Sequence, residues 1–241
     1  MKFFDALREI RRLRCGALIV AAGSSTRMQG TDKIMADLGG SPVIVHTLRA
    51  FEQSPEIDEI VLVTRPELVS ELTALTAREG FGKVTAVVPG GNTRMESVNR
   101  GLAALSKNIR LAAIQDGARP LVTGKIISAA VTRARITSAA APAIPVKDTV
   151  KVADIEGRVL STPDRETLRA VQTPQVFDRD LLLGAWEKAR QEGKQYTDDC
   201  AAMEGLGKTV YLTEGSEENL KITTPLDLIL AEEILKRRET P

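Results

Sequence analysis

Residues Leu18–Met28 run Leu-Ile-Val-Ala-Ala-Gly-Ser-Ser-Thr-Arg-Met, an apolar stretch that gives way to small residues and then to an arginine. A strand enclosed on both faces reads as a short continuous apolar run. Ala21, Ala22, Gly23, Ser24 and Ser25 leave backbone N–H groups open to a bulky anion, and Arg27 adds a permanent charge that can fork onto phosphate oxygens. The stretch therefore predicts a buried strand breaking into a phosphate loop. Two better-known phosphate patterns do not fit. A dinucleotide loop needs G-x-G-x-x-G, and only Gly23 is present. Gly207-Lys208-Thr209 approaches the G-x-x-x-x-G-K-[ST] pattern, but Ala202 stands where the first glycine belongs. The strand-like Val210-Tyr211-Leu212 follows it in place of a helix, so it reads as a helix end turning into a strand.

The chain has 241 residues, 43% of them hydrophobic, enough for one large α/β domain with an appendage. Its 33 basic and 32 acidic residues leave a formal charge of +1, so no nucleic-acid partner is implied and phosphate binding must rest on individually placed side chains. Cys15 and Cys200 are too few for a disulfide scaffold, which points to a reducing, cytoplasmic setting. No apolar run reaches membrane-spanning length, and the N-terminus lacks the apolar core of a secretion signal. The single histidine, His46, excludes a His-rich zinc site and sits in a helical pattern.

Along the chain, residues 1–14 carry Phe3, Phe4, Leu7, Ile10 and Leu13 at helical spacing opposite arginines, predicting an amphipathic helical extension. Residues 15–241 then read as a single domain. Ser41 and Pro42 predict a helix start, with a side-chain cap and a proline at the first helical position. Glu59–Val63, Val84–Val88, Leu111–Gln115 and Ala139–Val146 read as strands, and Pro66–Glu79 as a helix between them. Thr93 with Glu96 makes a capping box, and Thr123 caps a helix to about Arg135. This alternation predicts a doubly wound, mainly parallel sheet with its site beyond the carboxyl ends of the strands. Residues 147–165 break the rhythm as a projecting β-hairpin arm, which needs something to pack against because an isolated two-stranded ribbon is marginal. Asp178–Gln191, Asp198–Glu204 and Pro225–Lys236 close the chain as helices.

Taken together, the Leu18–Met28 loop with Lys33, Pro89–Val98, Asp116–Pro120, Pro145–Lys151, Asp164-Arg165, Gln172–Phe177, Thr197–Asp199 and Asn219–Lys221 resemble, in that order, the methylerythritol-phosphate cytidylyltransferase family. The likeness runs from Ala17 to about Leu235. It implies a Rossmann-like nucleotidyltransferase fold and CMP transfer from CTP to the phosphate of methylerythritol phosphate, with Mg²⁺ held at Asp116. By the same resemblance, Arg27, Lys33, Lys221 and Arg165 carry the chemistry. Ala21, Ala22, Gly23, Ser24, Gly90, Gly91, Asn92, Ser97 and Asp116 bind CTP. Arg119, Thr149, Arg165 and Thr173 bind the acceptor, and the arm interlocks with a second copy to form a homodimer. Departures are Asp32-Lys33-Ile34 for Pro-Lys-Gln, Gln115-Asp116-Gly117 for a His-Asp-Ala or His-Asp-Gly run, and Asn92 where an acid is common. A sister enzyme acting on ribitol phosphate shares the same motifs. A sugar-nucleotide pyrophosphorylase and a non-catalytic nucleotide-binding module are the more distant alternatives. A salt bridge to Arg119 is the alternative role for Asp116.

Overall fold

The computed structural model describes residues 13–23 and 32–239. The extension over residues 1–12 and the loop residues Ser24 and Arg27 lie outside the described residues. Leu13 and Arg14, which the sequence places in a helix, are not helical and lead straight into the first strand, β1 (Cys15–Ala21).

Successive side chains of the central strands are buried on opposite faces of the sheet. Cys15, Ala17, Ile19 and Ala21 of β1 face one core, and Leu18 faces the other. In β4 (Glu59–Thr64), Ile60 and Leu62 share the first core while Val61 and Val63 share the second. In β6 (Leu111–Asp116) the same division separates Leu111 and Ala113 from Ala112 and Ile114. Each strand is thus apolar on both faces because helices cover both, which is why these segments read as unbroken apolar runs.

The first core takes helices α1 (Val43–Glu52), α2 (Val69–Arg78), α4 (Gly124–Thr137) and α7 (Pro225–Glu239). The second takes α3 (Arg94–Ala104), α5 (Arg179–Gln191) and α6 (Asp199–Gly205). With β5 (Val84–Pro89), β7 (Ala139–Pro145), β10 (Arg169–Val171) and β11 (Gln175–Asp178), the main sheet runs β10-β7-β11-β6-β1-β4-β5, and β12 (Tyr211–Glu214) pairs beside β7. The pairs β1–β4, β1–β6, β4–β5 and β7–β12 are parallel, while β10 and β11 run antiparallel to their neighbours. After β5 the chain crosses back over β1 to begin β6, so the direction of winding reverses between β1 and β6. Ligands in open α/β sheets bind at such a switch, beyond the carboxyl ends of the strands.

Some local readings change. Ser41 and Pro42 form β3, paired with β2 (Asp37–Leu38), so Ser41 does not cap α1. Pro42 occupies the cap position with no side-chain bond, and the first N–H groups of α1 instead donate to Ala36 and Ile34 carbonyls. The helix expected from Pro66 opens with a 3₁₀ turn over Pro66–Leu68 before α2 begins. The Thr93 hydroxyl accepts from Glu96 N–H, as a capping box requires, but the Glu96 carboxylate bonds Asn92 N–H, one residue before the cap. His46 Nε2 donates to the Leu38 carbonyl, 2.7 Å away, a structural contact. Gly207 has φ +81°, matching a turn from α6 towards β12. The arm is present as β8 (Val152–Ala153) paired antiparallel with β9 (Val159–Ser161).

Candidate active site

The β1 register sets Ala21 beside Thr64, and Val20 beside Asp116, at one edge of the sheet. There the ends of β1 and β6 meet the loop after β5 in a cleft lined by residues that include Ala21, Ala22, Gly23, Lys33, Gly91, Asn92, Ser97, Asp116 and Lys221. Gly90 N–H donates to the Thr64 carbonyl at 2.6 Å, joining the β5 loop to the end of β4. A Cβ at Gly90 would stand 2.6 Å from Ala22 Cβ and 2.9 Å from Ser97 Oγ, so glycine there permits the two loops to close on one another. Ser97 Oγ accepts from Gly91 N–H at 3.1 Å and gives its proton to the Thr93 carbonyl at 3.0 Å. Its hydroxyl is thereby built into the loop as well as lining the cleft.

Asp116 ends β6 with its side chain 11% exposed and faces three cations. Lys221 Nζ lies 2.9 Å away, Arg94 Nη1 3.2 Å and Arg119 Nε 3.4 Å. Burial alone would raise its pKa, but Lys221, then Arg94 and Arg119, outweigh that and lower it to about 2. Asp116 N–H is held by Thr173 Oγ1 at 3.2 Å. Arg119 donates to the Asn219 carbonyl at 2.6 Å, and the Asn219 amide in turn bonds Gln172 and the Thr173 carbonyl. Thr173 and Arg119 therefore stand behind Asp116, and the salt bridge to Arg119 is one of three. Thr149 and Arg165 lie on the exposed arm and its root, where Arg165 donates to the Lys147 carbonyl at 3.0 Å. This chain does not bring them to its own cleft.

Arg94 is a site residue that sequence reasoning named only within a motif. From the first position of α3 it bridges Asp116 and the fully buried Asp199, whose Oδ2 lies 2.6 Å from Nη2. Burial raises the Asp199 pKa and Arg94 opposes the rise. Gln175 fixes the Asp199 end by accepting from Asp199 N–H and donating to Asp198. The only early signal was the Thr197-Asp198-Asp199 run. Among the described charged residues lining the cleft, Lys33, Arg94 and Lys221 are cationic and Asp116 alone is anionic. A cleft with that cationic excess suits a polyanion.

The 2-C-methyl-D-erythritol 4-phosphate cytidylyltransferase family model matches residues 15–237. A protein of that name from Desulforamulus reducens is 48% identical over 92% of this chain and 96% of its own. Another from Caldanaerobacter subterraneus subsp. tengcongensis is 44% identical over 93% of this chain and all of its own length. A crystal structure of 4-diphosphocytidyl-2C-methyl-D-erythritol synthase from Anaerococcus prevotii, 32% identical, superposes with a TM-score of 0.83 over 93% of this chain and 99% of that one. The chain belongs to the 2-C-methyl-D-erythritol 4-phosphate cytidylyltransferase family.

Proposed function

We propose that the cleft transfers CMP from CTP to 2-C-methyl-D-erythritol 4-phosphate, the reaction for which the family is named. The observation that carries the reading is the cationic cleft at the winding reversal, assembled from the very loops that bear the family motifs. An acceptor phosphate oxygen forms a bond to the α-phosphorus, and the bond to the bridging oxygen breaks, its electron pair leaving with pyrophosphate. No base is needed, because nucleophile and leaving group are both anionic, and positioning and charge neutralisation dominate.

Backbone groups of Ala21, Ala22, Gly23 and Ser24 receive the nucleotide, and Gly90, Gly91, Asn92 and Ser97 receive the cytosine. Arg27 and Lys33 hold the β- and γ-phosphates, and Lys221 faces the α-phosphate. Arg94, already bonded to two carboxylates, holds Asp116 in orientation. Asp116 is strongly ionised, and magnesium commonly takes one or two carboxylates together with phosphate oxygens, so the donor set fits that ion. Mg²⁺ held by Asp116 and the triphosphate would neutralise charge building on the departing pyrophosphate.

Arg119 and Thr173 serve the acceptor from within the chain, and Thr149 and Arg165 from the arm of a second copy. The arm exposes Val152, Ile155, Val159 and Leu160, an apolar surface suited to burial in a homodimer. No described helix is long and apolar enough to cross a membrane, and both cysteines are free and buried, which agrees with a cytoplasmic enzyme. The deciding experiment measures pyrophosphate release from CTP and Mg²⁺ with either methylerythritol phosphate or ribitol phosphate as acceptor. Turnover with the former alone supports the proposal. Turnover with ribitol phosphate alone reassigns the acceptor.

A further inference from the structure

Arg65 lies outside every set of residues that the sequence brings forward, yet it touches both sides of the phosphate end of the cleft. It follows β4 directly, and Pro66 behind it favours the extended conformation found there, φ −66° and ψ 146°. From that position its guanidinium reaches across the sheet edge. Nη1 donates to the Gly23 carbonyl at 3.0 Å, Nη2 pairs with the Asp32 carboxylate, and Nε donates to Glu67 at 3.0 Å. Gly23 and Asp32 are nine positions apart in sequence, and one planar fork grips both. With side chains 20% and 23% exposed, Arg65 and Asp32 are partly shielded from competing water.

Asp32 in turn opens the turn that carries Lys33. Its carboxylate accepts from Ile34 N–H at 3.1 Å, and its carbonyl accepts from Met35 and Ala36 N–H groups. Lys33 Nζ sits 3.5 Å from the point where a Cβ on Gly23 would stand, so the ammonium lies beside the residue whose carbonyl Arg65 holds. Lys33 and Gly23 both line the cleft.

We propose that Arg65 is a positioning residue that, by tying Gly23 to Asp32, presets the Lys33 ammonium for the nucleotide phosphates. This rests on the reading of the cleft as the CTP site. Without the tie, each nucleotide must order the Lys33 turn as it binds, which weakens binding and misaligns the charge during transfer.

The test is a double-mutant cycle on the full-length enzyme, reading kcat and KM for CTP in wild type, Arg65→Gln, Lys33→Ala and the double variant. Arg65→Gln is expected to lower kcat/KM for CTP by roughly 10- to 100-fold, with KM for the acceptor and the melting temperature little changed. Arg65→Lys is expected to recover part of the loss, and Glu67→Gln to behave as wild type. Added to Lys33→Ala, Arg65→Gln is expected to cost little more, because the group it positions is already gone. Should Arg65→Gln prove poorly folded, Asp32→Asn breaks the tie from the other end and is expected to give the same non-additive pattern. Independent, multiplicative losses, or unchanged CTP parameters in Arg65→Gln, overturn the proposal while leaving the CTP site in place. Undiminished CTP turnover in Lys33→Ala removes Lys33 from the mechanism and overturns the proposal with it, whereas no turnover of CTP by the wild-type enzyme overturns the reading of the cleft.

Discussion

Asp116 is one carboxylate among three cations, and its worth depends on which state of the protein is compared. Its folded pKa of about 2 lies below the ordinary 3.8, so ionisation favours the fold. That contribution, about 2 kcal/mol by linkage, is complete above about pH 4 and is lost as the pH falls towards 2. Asp116→Asn is expected to be less stable than wild type at pH 7, and the gap in urea-unfolding free energy should narrow as the pH falls from 4. A constant gap across that range rejects the pairing as its origin. On the proposed mechanism Lys33→Ala would remove a charge facing the leaving pyrophosphate, and a loss on the order of 10²–10³ in kcat is expected with an unaltered circular dichroism spectrum. Lys33, Asp116 and Lys221 were legible because they sit in short motifs with fixed offsets. Arg94 was not legible as a bridge, because its partners lie 22 and 105 positions away and meet it only through the sheet register.

At the level of elements, the start of α3 links local sequence to the cleft wall. Thr93 caps the helix, and Thr93→Ala is expected to cost about 1 kcal/mol in urea unfolding. The same change loosens the loop bearing Gly91 and Asn92, so KM for CTP should rise. Gly90→Ala tests the wall more directly, since the new methyl would meet Ala22 and Ser97. The expected outcome is at least a tenfold weaker CTP affinity by calorimetry; unchanged affinity would show that the loops can part freely. The buried parallel strands and the Thr93 and Thr123 caps were readable because each depends on neighbours within a few residues. β11 was not, because Gln175 and Asp178 are polar yet buried, their groups satisfied by the N-termini of α6 and α5. Ser41-Pro42 misled for a similar reason: a two-residue ribbon replaced the expected cap.

On the scale of the whole molecule, the proposed role of the arm means that one chain alone lacks a complete site. With Thr149 and Arg165 supplied by a partner, mixing Arg165→Ala with Lys33→Ala chains should restore about a quarter of wild-type activity, because half of the dimers are mixed and each has one intact site. No recovery after verified subunit exchange rejects a shared site. The doubly wound class was legible from alternation alone, whereas the antiparallel strand β11 between β6 and β7 was visible only in three dimensions. The pairing of Pro145 with Arg169 places the two roots of the arm on the same rung of the sheet. The excursion between them is a closed detour, and its removal would leave the ends already in register. With the arm joining two copies as proposed, acquiring, lengthening or losing such a detour would change assembly without rethreading the sheet, so the association habits of this enzyme could drift in evolution while the sheet that carries its cleft stays the same.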